Sequence, residues 1–277
     1  MTAAAAQLWR RREGLVALAS MGLLAAGSAV RAQSTGTGAS TLPDIVAKSK
    51  PCVLPVGTFN ATDSPRFGFR GSGFVIAEDN GLGTLVATNY HVLPEGAGSS
   101  GSPQMAVLTG PAGPGAESQR RLARVVATER LHDLALLQLE GPPLPGLVLE
   151  AAGQVREGQA VVLMGFPIGG ALGFSVVTHR GIVASITSAA MPAPTARQLD
   201  PRALNRLREG NFELLQLDAT AYPGNSGGPL LDAETGRVIG IVNMVLVKAG
   251  RESALSSPTG ITYAVPVAQL RALMQRR

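Results

Sequence analysis

Pro223-Gly224-Asn225-Ser226-Gly227-Gly228-Pro229-Leu230-Leu231 sets one serine among three glycines and runs straight into an apolar strand. The glycines let the backbone fold tightly around Ser226, with neighbouring N–H groups turned into one pocket. A plain β-turn would use the same glycines, so the stretch by itself leaves both readings open. Outward from it, short β-rich windows recur along the chain. They cover residues 53–59, 73–77, 84–88, 105–109, 121–127, 134–139, 160–164, 175–186 and 214–218 upstream, and 228–231, 238–245 and 261–265 downstream. Their close spacing and Gly/Pro/Asn/Asp punctuation predict an all-β barrel or sandwich. Three short helices are expected around them. One covers 44–50, and one starts at the Asp200-Pro201 cap and runs to Arg208, with Leu204 and Leu207 on one face. The last is a C-terminal helix over 266–277 with Leu270, Leu273 and Met274 on one side.

Two other motifs join the serine. Thr88-Asn89-Tyr90-His91-Val92 ends one apolar strand, and His132-Asp133-Leu134-Ala135-Leu136-Leu137 opens another. Singly, a histidine at a strand end or an aspartate at a turn is usually structural. Together, His91, Asp133 and Ser226 stand in the chain order of the chymotrypsin-like triad. A serine hydroxyl is a weak nucleophile and needs a base, which His91 would supply. Asp133 would fix the imidazole tautomer, and the N–H groups of Gly224 and Ser226 would form the oxyanion hole. In such a barrel protein the triad lies in a cleft, with His91 and Asp133 on the first half and Ser226 on the second.

The chain resembles the trypsin-like protease domain of the HtrA/Deg family over residues 41–268. The resemblance is carried by Gly71-Ser72-Gly73-Phe74-Val75-Ile76, the His91 and Asp133 motifs, Gly165-Phe166-Pro167, Arg180-Gly181-Ile182-Val183-Ala184, Gln216-Leu217-Asp218-Ala219, the serine motif, Val238-Ile239-Gly240-Ile241 and Ile261-Thr262-Tyr263-Ala264-Val265-Pro266. It implies two perpendicular six-stranded antiparallel β-barrels of chymotrypsin-like fold and serine endopeptidase activity with no metal or cofactor. Polypeptides, in particular unfolded ones, are the implied partners, in protein quality control. A silent chaperone-like or binding module on the same fold, or a processing protease with one partner, is the alternative. The sequence stops about a dozen residues after Val265-Pro266, too few for the PDZ domain such proteins carry. Regulation is therefore expected from the domain's own loops or another chain. Residues 191–211 occupy the place of the family's activation loop, and the oligomeric state is left open.

Ala221, Val242, Asn243 and Met244 are expected to line the pocket for the residue before the cut. No acid stands among them, which favours small aliphatic residues over Lys or Arg. His132, if its segment is extended, points away from Asp133 to the surface, and His179 reads as structural. The single cysteine, Cys52, excludes an intramolecular disulfide and reads as a buried hydrophobe. Gly71-Ser72-Gly73 leads into a strand, not a helix, and is no dinucleotide loop.

At 277 residues, 45% hydrophobic and 16% charged, the chain is long enough for a full core. Its net charge of +5 invites a nucleic-acid reading. Arg10-Arg11-Arg12, an apolar run over 15–30 and Val30-Arg31-Ala32 instead describe a cleaved export signal over 1–32. The paired arginines also resemble a twin-arginine signal, and the apolar run is short for a membrane span. Without that segment's four arginines and one glutamate, 20 basic and 18 acidic residues remain of the 24 and 19. That near balance, with no accompanying motif, points to no nucleic acid. A loose tether over 33–41 then leads to one domain over 42–277, exported to the periplasm or secreted.

Overall fold

The computed structural model describes residues 40–97, 101–110, 118–151, 155–169, 173–188, 212–243 and 260–277. The expected export signal, nearly all of the tether, the helix at 200–208 and Met244 lie outside them. Helix α1 (Leu42–Ser49) leads into strands β1 (Val53–Phe59), β2 (Phe67–Ile76), β3 (Leu82–Gly83), β4 (Leu85–Asn89), β5 (Gln104–Thr109), β6 (Gln119–Glu129) and β7 (Leu134–Leu139). Then follow β8 (Leu144–Pro145), β9 (Ala160–Gly165), β10 (Val177–Ser188), β11 (Glu213–Asp218), β12 (Pro229–Asp232), β13 (Val238–Asn243), β14 (Ile261–Pro266) and helix α2 (Val267–Gln275). The strands close into two six-stranded antiparallel barrels, in the orders β1-β2-β4-β7-β6-β5 and β10-β11-β14-β13-β12-β9. Barrels, not a sandwich, are therefore the outcome. The β3–β8 ribbon is new relative to the sequence reading, because two residues carry no periodicity.

The core explains why several strands read as unbroken apolar runs. Val75, Val86, Ala135 and Leu137 fill the first barrel, whereas Leu163, Leu217, Leu230 and Ile239 fill the second. Their strand neighbours Phe74, Leu136, Met164, Leu231 and Val238 point the other way, into a third buried cluster shared by strands of both barrels and α2. A strand alternates its side chains, so one buried on both faces must be apolar throughout. Leu270 and Leu273 of α2 are buried in that third cluster, with Met274 packed against it. Each such leucine contributes about 2 kcal/mol. Arg271 of the same helix donates to the carbonyls of Glu150 and Leu149 at 2.8 and 3.2 Å.

Cys52 is buried among these side chains, and burial pushes its thiol up to about 11. The arginines of β6 are tied locally. The Arg120 guanidinium lies 3.6 Å from the Phe59 ring centroid, and Arg121 donates to the carbonyls of Glu140 and Pro142.

Candidate active site

Strand register brings the first two groups together. β4 and β7 pair antiparallel with Asn89 opposite Leu134, so the residues just past one strand meet those just before the other. Those residues are Tyr90-His91, in a short 3-10 turn, and Asp133. Asp133 takes a left-handed conformation (φ +54°), which a short polar side chain tolerates. Its carbonyl accepts from Tyr90 N–H and from the Asn89 side-chain amide, both at 3.0 Å. Its carboxylate is shared among three donors. Oδ1 accepts the His91 backbone N–H at 2.8 Å, and Oδ2 accepts His91 Nδ1–H at 2.5 Å. Oδ2 also accepts the Asn243 side-chain amide at 2.9 Å.

An acceptor on Nδ1 fixes the tautomer that leaves Nε2 able to take a proton. The imidazole is 26% exposed. Arg70 of β2 braces the turn from behind, donating from Nε to the Val92 carbonyl at 2.5 Å and from Nη2 to the Leu93 carbonyl at 2.9 Å.

The serine stretch enters from the second barrel. Gly227 N–H donates to Val242 O and Val242 N–H to Gly228 O, both at 2.9 Å, which hangs the loop on β13. The Ser226 carbonyl accepts Ser72 N–H of β2 at 2.8 Å, so the loop also docks on the first barrel. A Cβ at Gly71 would meet both the Val92 side chain and the Ser226 carbonyl at 3.0 Å or less. The histidine turn and the Ser226 loop are thus neighbours across one strand. Ser226 is 5% exposed.

The peptide before Gly224 is held as well. The Pro223 carbonyl accepts Ile168 N–H at 2.7 Å. In a planar trans peptide C=O and N–H point in opposite directions, so this bond turns Gly224 N–H the other way. Ile168 pays for the contact with φ +61°, a left-handed conformation that a β-branched residue rarely adopts. Strain of this kind collects where function over-determines geometry.

The expected pocket residues fall in different places. Ala221 is half-buried against the second barrel's interior, and the Val242 side chain is wholly inside it. Asn243 is fully buried with its amide on Asp133. His132 departs from the expectation: it lies in a turn, not an extended segment, and packs half-buried on Phe212 with ring centroids 4.6 Å apart. Desolvation there lowers its pKa. His179 sits on β10 beside the Tyr222 ring, and its pKa is likewise lowered by burial. Arg70, Ser72 and Ile168 were not singled out as site residues. Each makes its contact with residues 20 or more positions away, which the short motifs do not record.

Residues 71–241 match the Trypsin-like peptidase domain family. The mitochondrial serine protease HTRA2 of Bos taurus is 31% identical over 241 residues, covering 85% of this chain and 43% of its own length. A probable periplasmic DegP-like serine endoprotease of Pseudomonas fluorescens is 28% identical over 197 residues, covering 71% and 32%. The chain thus spans less than half the length of these relatives. A solved structure of the HtrA-type protease AlgW with a decapeptide shares the fold, with a TM-score of 0.57, 21% identity and coverage of 85% and 66%.

Proposed function

The chain belongs to the trypsin-like peptidase family, in its HtrA/DegP-like group of serine proteases, and from that premise we propose that it is an endopeptidase using Ser226, His91 and Asp133. The observation that carries this reading is the β4–β7 register, which sets Asp133 on His91 beside the strand where the Ser226 loop docks. In the first half-reaction His91 Nε2 takes the Ser226 hydroxyl proton as Oγ bonds to the scissile carbonyl carbon. The carbonyl electron pair moves onto oxygen, where Gly224 and Ser226 N–H groups would receive it. Collapse expels the amine, protonated by His91, and leaves an acyl-enzyme. Water, deprotonated by the same imidazole, attacks next. The acid is released and the Ser226 proton restored. The substrate is unfolded polypeptide, cut after small aliphatic residues, outside the cytoplasm. The word periplasmic in the name of the bacterial relative supports that location. Residues 1–32 would be the cleaved signal.

A fluorophosphonate is expected to label Ser226 and to stop digestion of unfolded casein in proportion. An unlabelled Ser226 with casein left intact would overturn the reading. Sequencing the products tests the pocket, since cuts after Lys, Arg or Glu would exclude it.

Asn243 reaches Asp133 from the other barrel, so it steadies the carboxylate while His91 becomes charged. Asn243→Ala is expected to lower kcat about tenfold, the worth of one hydrogen bond to a charged group, with KM little changed. An unchanged kcat would assign Asn243 to packing alone.

A further inference from the structure

Gly71-Ser72-Gly73 carries a serine that is fully buried yet reaches across to the other barrel. Ser72 Oγ donates to the Gly224 carbonyl at 2.6 Å and accepts Phe166 N–H at 3.0 Å. Its own N–H donates to the Ser226 carbonyl, and its carbonyl accepts the Thr88 hydroxyl at 2.7 Å. We propose that the Ser72 hydroxyl is a positioning group for catalysis, holding from the first barrel the Gly224–Asn225 peptide that lies between the two oxyanion donors, the N–H groups of Gly224 and Ser226. The proposal rests on Ser226 as nucleophile and deepens that reading.

Two peptides flank Gly224, whose φ of +103° is a conformation that glycine enters and leaves easily. The peptide after it is tied directly, through its carbonyl on Ser72. The peptide before it is tied through Pro223 on Ile168, in the segment whose Phe166 N–H the same hydroxyl accepts. One hydroxyl therefore fixes the peptide between the two donors directly and braces the one that carries Gly224 N–H through the Phe166–Ile168 segment. Alanine in its place leaves a part-buried carbonyl and a buried N–H without that partner, and each would turn to find another. The preorganisation that makes such donors effective would go with it.

The test compares the wild-type chain with Ser72→Ala, Ser72→Cys, Ser226→Ala and Leu273→Ala. Leu273→Ala empties a core position in α2 that makes none of the site's hydrogen bonds and controls for lost stability. Ser72→Cys fills the site with only a weak donor and acceptor. Both Ser72 variants are expected to lose about 10- to 100-fold in kcat with KM within about twofold, less than the loss of a direct oxyanion donor. Their affinity for a peptide aldehyde, whose adduct oxygen enters the oxyanion position, should fall by a similar factor. Affinity for the matching peptide alcohol, which forms no adduct, should hold. A merely structural role would lower the melting temperature, as in Leu273→Ala, without separating the two inhibitors. A kcat within twofold of wild type in a folded Ser72 variant, or equal losses for aldehyde and alcohol, overturns the proposal. An active Ser226→Ala variant would instead remove the nucleophile reading, and this proposal with it.

Discussion

Ser226→Ala is expected to lower kcat about a million-fold and Asp133→Asn about ten-thousand-fold, with KM changed little in either. The first removes the proposed nucleophile and would leave only substrate binding and the proposed oxyanion donors. The second keeps every heavy atom in place and is the sharper test. Asp133 faces three donors: the His91 backbone N–H on Oδ1, and His91 Nδ1 together with the Asn243 amide on Oδ2. An asparagine has one acceptor oxygen and one donor amide. If its oxygen faces the two donors at Oδ2, its amide opposes the His91 N–H that holds the turn. If it faces the backbone, its amide meets Nδ1, the imidazole takes the other tautomer, and Nε2–H can no longer accept the Ser226 proton. Either way the turn or the base is lost. A ten-thousand-fold fall corresponds to about 5 kcal/mol of barrier. Fluorophosphonate labelling rates and casein digestion, with circular dichroism as the check on folding, would measure it. A loss below about tenfold would show that Asp133 does not govern the tautomer.

The sequence and the structure agree where information is local. All twelve β-rich windows became strands, with bounds shifted by a few residues; β2 gained the most, from Phe67. Both described helices lie within two residues of expectation at each end. Closure into barrels was less legible, because alternation does not tell a barrel from a sandwich. The motifs of His91, Asp133 and Ser226 were visible as short runs. The groups that hold them were not. Asn243 was expected to line a pocket, and its amide instead reaches Asp133, 110 residues away in sequence. Ser72 meets Gly224 at a separation of 152 residues and Phe166 at 94. Contacts of that range depend on how two barrels pack, and no residue pattern records them. His132 was misplaced for a local reason. Residues 130–133 form a turn that ends on the left-handed Asp133, so the alternation of an extended strand does not reach His132.

Gly227→Ala is expected to destroy activity more thoroughly than its single added methyl suggests, and Gly81→Ala isolates the reason. Both glycines are left-handed, with φ +85° and +77°. Alanine in that conformation costs about 1–2 kcal/mol wherever it stands. Nothing lies within 4 Å of a Cβ at Gly81, so Gly81→Ala bears the strain alone and should keep full activity. At Gly227 the Cβ would come 2.2 Å from the Ser72 carbonyl oxygen, 2.4 Å from Thr88 Oγ1 and 3.1 Å from Asn89 N. None of these yields readily. The Ser72 carbonyl belongs to a strand paired with Pro55 in β1 and accepts the Thr88 hydroxyl, and β4 is buried along its whole length. The loop must therefore retreat, carrying Ser226 away from His91 and pulling its carbonyl from Ser72 N–H. A displacement of about 1 Å at a reacting group costs on the order of 100-fold. Gly227→Ala should thus fall by at least about 100-fold in kcat/KM and melt several degrees below Gly81→Ala. The barrels should persist, since β12 and β13 pair beyond the loop. Wild-type labelling of Ser226 in Gly227→Ala would mean that the nucleophile does not depend on its close approach to the first barrel.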